Sequence, residues 1–592
     1  MPNSFEVIVV GCGHAGLEAA LMSSKIGAAT LVITSSFDAI GRLSCNPSIG
    51  GIGKGHLIKE IDALGGVMGT IADSSCIHKR TLNSSKGPSV QSTRFQVDRN
   101  IYRQTSLHLL LQQQNITIVQ DTVCGIWEGP NNQKIVRTGL GLNFKTISIV
   151  FSTGTSLNGL VYAGGSDAWK AKQVANSNAT LSDHLLRLGL KRLRLKTGTP
   201  ARADARTINF ARLEEQISDC KTPPFSFTNS VGRGLRQVPC WIAYTSNKTH
   251  DTIKKNIESS PAYKKTILGA GPRYCLSIEE KVMRFPHKPR HLVFVEPEDL
   301  TISEVYLNGF SSCMPARAQS DMLRTLEGFE GVKITRFGYA VEYDCFCPKL
   351  LKGNLESKIV DGMYFAGQIN GTTGYEEAAS QGLIAGLNAA LFSKGRDQWF
   401  PLKQESYIGV LIDDLVKHGV SEPYRIFTSR SESRLLLRED NADLRLCPIS
   451  KKFGIISDIR WKLYCIKKDL VESFDDIKFA RYWETIRLFG PLTLTRESFK
   501  FQILNQISIS KSGGAVTDKP LQNPLNNLEG ARLPLDFDYN LIRGLPDEIS
   551  NKLNTHKPQN LKQVQRLEGI TPSALTLLTS YFGAKAFGCD VS

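Results

Sequence analysis

Residues Phe5 to Thr34, FEVIVVGCGHAGLEAALMSSKIGAATLVIT, constrain this chain more than any other stretch. Val7 to Val10 form a short apolar, β-branched run, as expected of a strand covered on both faces in a parallel sheet. Gly11, Gly13 and Gly16 follow in a G-x-G-x-x-G pattern. In that setting the first glycine permits a sharp turn, the second lets backbone approach a pyrophosphate, and the third lets the next helix pack close to the sheet. The helix predicted from His14 to about Ile26 aims its free N–H groups and positive dipole end at phosphate. Thr30 to Thr34 supplies the second strand. The expected dinucleotide cradle is therefore Gly11, Cys12, Gly13, His14, Ala15 and Gly16. The acid that usually ends the second strand and holds a ribose is missing: Ile33-Thr34-Ser35-Ser36 stands there, and the first acid is Asp38. The motif alone does not separate FAD from NAD.

A second cofactor signature lies late in the chain. Tyr364-Phe365-Ala366 reads as a strand, Gly367-Gln368 ends it, and Glu376 to Asn388 reads as a helix of small residues. Two such stations favour a resident FAD over a transient NAD. Further strands are predicted at Ile116–Val119 and Lys145–Ser152, and a helix from Asp98. Residues 207–290 lack a strand–helix–strand rhythm and read as an insertion.

Two loops carry candidate chemistry. GRLSCNPSIGGIGKGH, residues 41–56, holds five glycines around Cys45. Its Gly53-Lys54 does not make a nucleotide P-loop, because Ser48 replaces the first glycine and Gly55 the magnesium-binding hydroxyl. GPRYCLSIEEKVMRF, Gly271 to Phe285, sets Arg273 and Tyr274 beside Cys275. Cations lower a neighbouring thiol's pKa, and an aromatic stacks on a ring. Cys45 and Cys275 are thus candidate nucleophiles or proton carriers; a small buried filler is the bland alternative for Cys45.

Lys plus Arg number 72 against 56 Asp plus Glu, a net +16, which favours a polyanionic partner such as nucleic acid. Lys191–Arg206 is strongly basic, and Arg430, Arg434 and Arg438 at i, i+4, i+8 are expected to line one helical face as a phosphate groove. No apolar run reaches the length of a membrane span. The first strand begins so early that a signal or transit peptide is not expected. The thirteen cysteines contain no C-x-x-C, which points to a reducing compartment; Cys345-Phe-Cys347 has no matching pair, so no metal site is expected. Residues 509–530 read as linker, and Thr571-Pro572 starts an apolar terminal helix.

The segments GCGHAG, SCNPSIGGIGKGHLIKEIDALGG, LNSSKGPSV, RLKTGTPAR, GPRYCLSIEEKVMRF, AGQINGTTGYEEAASQGLIAGLNAA, EPYRIFTSR and LREDNADLR together resemble the MnmG/GidA family across nearly the whole chain. The resemblance implies an α/β fold: a Rossmann-like FAD-binding domain of glutathione-reductase type (1–206 and 291–400) with an inserted α+β domain (207–290), followed by an all-α C-terminal domain. Within that last part, 401–510 is expected to bind tRNA, 511–535 to be linker, and 536–592 to dock a partner. It also implies an enzyme that uses FAD, NADH and methylene-tetrahydrofolate to place an aminomethyl or carboxymethylaminomethyl group on C5 of the wobble uridine of certain tRNAs. Ammonium or glycine supplies the nitrogen. The implied assembly is a homodimer joined with a folate-binding GTPase into a heterotetramer, in the cytoplasm, with mitochondria as the alternative. Carried over by motif, Gly11 to Gly16, Val123, Ser182 and Gln368 bind FAD. Gly271, Pro272, Arg273, Tyr274, Lys281 and Phe285 bind NAD, and Cys45 and Cys275 are catalytic; the basic residues Arg430, Arg434 and Arg438, read above as a phosphate groove, together with Arg425 are then expected to bind the tRNA.

Three departures stand out. Ser433 occupies a position where relatives carry Tyr, the region from about 470 to 535 is shorter, and a KYxGYIxRQ-like helix is missing. Two other readings compete. A folate- and FAD-dependent tRNA uridine methyltransferase is shorter and lacks the helical tail; a non-catalytic FAD-containing RNA-binding protein has no need of both Cys45 and Cys275.

Overall fold

The structure is a computed structural model. It describes residues 3–130, 133–164, 172–173, 179–227, 234–264, 267–273, 275–487, 496–511, 533–534, 537–542, 544–567 and 569–586. The central strand of the first sheet is Ser4–Val10, flanked in parallel by Thr30–Thr34 and Asn143–Phe151. Ile116–Gln120 extends the sheet on one side. On the other, Met363–Phe365 runs parallel to the far half of Asn143–Phe151, and the antiparallel pair Lys134–Thr138 and Val123–Glu128 continues from its near half. Val7, Ile8 and Val9 are fully buried, as their apolar run requires.

The helix His14–Lys25 packs on this sheet side by side with the long helix Tyr375–Ser393. The small residues of the long helix explain the closeness of the pair. A Cβ on Gly382 would stand 2.0 Å from the Ala15 carbonyl oxygen, and one on Gly386 2.3 Å from that of Ala19. One turn apart, these glycines form a stripe that lets two backbones touch.

The second body is wider than the 207–290 segment. Its sheet draws strands from Leu160–Tyr162 through Tyr339–Phe346. The spine is Arg192–Asp204, thirteen residues long, paired antiparallel with Tyr339–Phe346 along its first part and with Glu304–Ser311 beyond a bulge near Pro200. The basic run Lys191–Arg206 is therefore mostly strand, and its arginines meet carboxylates: Arg192 Asp183, Arg194 Asp344, Arg202 Glu298 and Arg206 Asp204.

From Tyr407 onward the regular elements among the described residues are helices. This region is fastened to the helix Lys54–Ala63 by buried ion pairs, Arg445–Glu60 at 3.0 Å and Arg460–Asp62 at 2.5 Å. The terminal helices Asp547–His556, Leu561–Arg566 and Pro572–Ala586 enclose their own apolar core around Leu553, Leu561 and Leu578. The Thr571 hydroxyl accepts from the Ala574 N–H at 3.3 Å, the N-cap expected before Pro572. Most of the expected linker lies outside the described residues. Among the described residues no helix is long and apolar enough to cross a membrane, and no cluster of His, Cys, Asp and Glu is arranged to hold a metal.

Candidate functional site

The glycine turn builds an anion cradle from backbone. Gly11 has φ +90°, and a Cβ there would meet the Ser152 carbonyl oxygen at 2.5 Å, so turn and close approach both demand glycine. Gly13 is the N-cap of His14–Lys25, has φ −71°, and has no side chain to cap the first turn. A Cβ on Gly13 would meet nothing within 4 Å. Its glycine is required by neither strain nor packing; it leaves space over the helix N-terminus, where a phosphate fits. Gly16 is a packing glycine, since its Cβ would stand 2.0 Å from the Gly11 oxygen. Gln368 reaches the same mouth, its Oε1 3.4 Å from where a Gly154 Cβ would lie. The buried Thr153 Oγ1 has no hydrogen-bond partner. Open space at Gly13, free helix N–H groups and an orphaned hydroxyl fit a diphosphate-bearing cofactor such as FAD.

The remaining members of the cradle reading fall around it. Cys12 is buried, which pushes its thiol up to about 12, so it stays a protonated filler. Burial pulls His14 down to about 4, leaving it neutral, and its ring stacks on Tyr375 at 4.6 Å. Val123 is fully buried near the end of Thr30–Thr34, where the Asp121 N–H donates to the Thr34 carbonyl. Ser182 donates to Asp344 at 2.6 Å, so its hydroxyl is already engaged. Asp38 is paired with Arg103 at 3.0 Å and faces solvent. Lys54, the residue of the rejected P-loop, bridges the buried Glu376 and Glu377 at 3.0 and 2.8 Å, joining the Cys45 loop to the long helix.

Cys45 is held on every side. Its N–H donates to the Tyr375 hydroxyl at 2.6 Å, and that hydroxyl donates to the Asn46 carbonyl at 3.2 Å. Its carbonyl accepts from Arg99 at 2.8 Å and from Arg202 at 3.3 Å. Glu298 pairs with both arginines. The Cys45 sulfur lies 2.9 Å from the Tyr306 hydroxyl, and Arg202 stacks over that ring at 5.0 Å. Burial pushes the Cys45 thiol above its ordinary range, and Cys275 adds to the rise. The Tyr306 hydrogen bond, Arg202 and Arg425 oppose it.

Cys275 is half-buried and lines a cavity of about 660 Å³ between the inserted body and the terminal helices. Gly271, Pro272, Arg273 and Phe285 line the same cavity. Lys281 turns away: its ammonium donates to the Gly309 carbonyl at 2.7 Å, and burial lowers its pKa. Tyr274 lies outside the described residues. Arg273 joins three parts of the chain, pairing with Glu422 at 3.1 Å and with Glu548 of the terminal helices at 2.8 Å. Asp547, Glu548 and Asn551 complete the cavity wall.

The arginine stripe is corrected by the structure. Residues 431–438 form turns rather than a helix, with the Leu436 and Leu437 N–H groups both donating to the Ser433 carbonyl. The Ser431 hydroxyl accepts from the Ser433 N–H at 3.1 Å, a local bond that competes with helix formation. Arg438 is buried and closed around Asp440 and the Leu435 carbonyl. Arg430 lies over Tyr424 at 4.8 Å, 3.6 Å from Asp414. Arg434 is half-buried beside Tyr407. Arg425 is half-buried, and its Nε has no hydrogen-bond partner. Tyr306, Tyr375, Arg99 and Arg202 receive no role at Cys45 from the sequence, although Arg202 lies in the basic run Lys191–Arg206 and Tyr375 in the glycine-rich turn GTTGYEEAAS.

The family model of glucose inhibited division protein A matches residues 6–397, and the model of the tRNA modifying enzyme MnmG/GidA C-terminal helical bundle matches residues 522–587. Among solved structures the chain is similar to GidA of Aquifex aeolicus in two crystal forms. Form II has a TM-score of 0.77 at 40% identity, covering 98% of this chain and 99% of that one. Form I has a TM-score of 0.76 at 40% identity, covering 98% of this chain and 100% of that one.

Proposed function

This chain belongs to the glucose inhibited division protein A (GidA) family, and from that premise we propose how its site serves as a flavin-dependent tRNA-modifying enzyme. The reaction is addition of an aminomethyl or carboxymethylaminomethyl group to C5 of a wobble uridine. NADH is the reductant, methylene-tetrahydrofolate the carbon source, and ammonium or glycine the nitrogen source. A folate-binding GTPase is the partner of a homodimer, and the compartment is the cytoplasm. The motif resemblance supports these finer assignments. The observation that carries the reading is that Cys45 and Cys275, far apart in sequence, face one region: the Cys45 sulfur lies 3.9 Å from the Gly198 carbonyl, and Gly198 lines the cavity that holds Cys275.

The chemistry asks for two such groups. C5 of uracil becomes nucleophilic once a thiolate adds at C6, which moves the C5–C6 electron pair toward the C4 carbonyl. After the new bond forms at C5, a base takes the C5 proton and the thiolate leaves. FAD, when bound, would supply redox chemistry beside Cys45, and Gly11 to Gly16 and Gln368 would hold it; Tyr375, Arg99 and Arg202 fix the Cys45 loop, and the Tyr306 hydroxyl hands protons to or from Cys45.

The test is mass spectrometry of nucleosides from tRNA incubated with the protein, a family GTPase, GTP, methylene-tetrahydrofolate, NADH and glycine or ammonium. A C5-substituted wobble uridine, lost in Cys45→Ser and Cys275→Ser, is expected. Methylation at another uridine, or product that persists in both variants, would sink the reading.

A further inference from the structure

Two of the arginines expected to face RNA are already engaged: Arg430 lies 3.6 Å from Asp414, and Arg438 closes on Asp440 at 2.8 Å. A different row of cations is open. Lys281–Val295, KVMRFPHKPRHLVFV, holds no Asp or Glu, and within it Arg284, Lys288 and Arg290 are exposed. Lys254, on the helix Asn247–Asn256, is exposed as well. Elsewhere on the same body the exposed Arg206, Arg212 and Arg336 each meet a carboxylate. Among the described residues Arg284, Lys288, Arg290 and Lys254 meet none, although Asp251 and Glu258 flank Lys254 along the chain.

The row starts at the Cys275 cavity. Lys196, Arg273 and Arg284 are the cations in its wall. Lys196 faces Glu280 at 3.5 Å and Arg273 pairs with Glu422 and Glu548, which leaves Arg284 uncompensated. Phe285 lines the cavity beside it, and the Lys288 ammonium stands 5.3 Å from the centre of that ring. The Arg290 guanidinium lies 4.3 Å over Tyr244, which ends the neighbouring strand Cys240–Tyr244. His291 and His250 bring their rings to 5.3 Å, and Lys254 is one turn along the helix from His250.

A single exposed lysine is ordinary. This row differs because its cations are restrained. Pro286 and Pro289 fix two backbone angles between Arg284 and Arg290. A ring beneath a guanidinium steadies it and leaves the in-plane N–H fork free for a phosphate. Less freedom is then lost when an anion arrives. We propose that Arg284, Lys288, Arg290 and Lys254 form a phosphate track for the RNA strand whose uridine enters the Cys275 cavity. The proposal rests on the function given above and deepens it, by assigning an RNA contact to the inserted body. A base drawn into a pocket brings its flanking phosphates to the rim, where unpaired cations release counterions on contact.

The experiment is fluorescence anisotropy of labelled, unfractionated tRNA titrated with the full-length, FAD-loaded protein at 50, 100 and 200 mM salt. Wild type is compared with a triple variant, Lys254→Gln with Lys288→Gln and Arg290→Gln. A control triple, Arg206→Gln with Arg212→Gln and Arg336→Gln, removes the same charge from paired sites. Each phosphate contact contributes about 0.7–0.9 to the slope of log affinity against log salt. The track variant should therefore lose about 2 from the slope, so that the wild-type advantage shrinks about tenfold between 50 and 200 mM, while the control keeps the wild-type slope. Equal losses in both triples would overturn the track in favour of overall charge. An unchanged slope in the track variant would overturn it while leaving the proposed reaction standing, and weakened NADH binding beside that unchanged slope would make these cations dinucleotide contacts. Wild type with no tRNA affinity at 50 mM salt would sink track and reaction together. Flavin content and melting report on folding; if the track variant loses its flavin, Lys288→Gln alone decides, a slope lowered by about 0.7–0.9 supporting the track and an unchanged slope refuting it.

Discussion

Gly13→Ala and Gly16→Ala separate a glycine that makes room for a ligand from one that makes room for the protein. At Gly16 the new methyl would sit 2.0 Å from the Gly11 oxygen and 2.8 Å from Ser152 Oγ. Ordinary contact is about 3.5 Å, so helix and turn must part by roughly 1.5 Å. Ser152 Oγ donates to that same Gly11 oxygen at 3.0 Å, and the bond is lost with the shift. Overpacking of about 1–3 kcal/mol plus about 1 kcal/mol for the bond gives roughly 3 kcal/mol of destabilisation. At Gly13 the backbone is ordinary for alanine and the Cβ is unobstructed, so the folded apoprotein should lose at most about 1 kcal/mol as a poorer N-cap. The methyl then stands where a phosphate must approach, and FAD affinity should fall about 100-fold, roughly 2.7 kcal/mol. The assay pairs thermal melting of the flavin-stripped proteins with the visible-to-ultraviolet absorbance ratio after gel filtration. Stoichiometric flavin in Gly13→Ala, or a Gly16→Ala apoprotein as stable as wild type, would refute the division of labour.

Three further outcomes are expected. Lys54→Met leaves Glu376 and Glu377 buried without their cation and should cost about 3–5 kcal/mol, read by urea unfolding. Tyr306→Phe removes a hydrogen bond that lowers an already raised Cys45 thiol, so Cys45 labelling should shift to still higher pH while flavin content is unchanged. Glu548→Gln breaks a partly exposed pair to Arg273 worth at most about 1 kcal/mol, so melting should barely move while hydrogen exchange in Asp547–His556 quickens; unchanged exchange would show that the contact does not hold the helix.

The cofactor half of this molecule was legible because its demands are local. A glycine turn, an apolar strand and a small-residue helix announce themselves within a few residues, and strands appear at Ser4–Val10, Ile116–Gln120 and Asn143–Phe151 close to their expected places. The second sheet was illegible in its extent because Arg192–Asp204 looks like a basic surface strip until Asp344, Glu342 and Glu298 arrive from later strands to pair with it. Arg434 and Arg438 misled through spacing alone: no apolar stripe accompanied the i, i+4 repeat, and serine hydroxyls took the backbone instead. The clamp on Cys45 had no local signature, since Tyr306 sits mid-strand and meets the cysteine through tertiary packing.

The cavity that holds Cys275 takes one wall from the terminal helices, through Asp547, Glu548 and Asn551. That shared wall makes occupancy of the cavity and the position of those helices a single thermodynamic system. A molecule that grips the helices and shifts them changes the affinity of whatever enters beside Cys275, and by reciprocity the entering molecule changes the grip by the same factor. The sign of the coupling is readable: a visitor that draws Arg273 away from Glu548 loosens the helices, whereas one that fits within the closed wall tightens them.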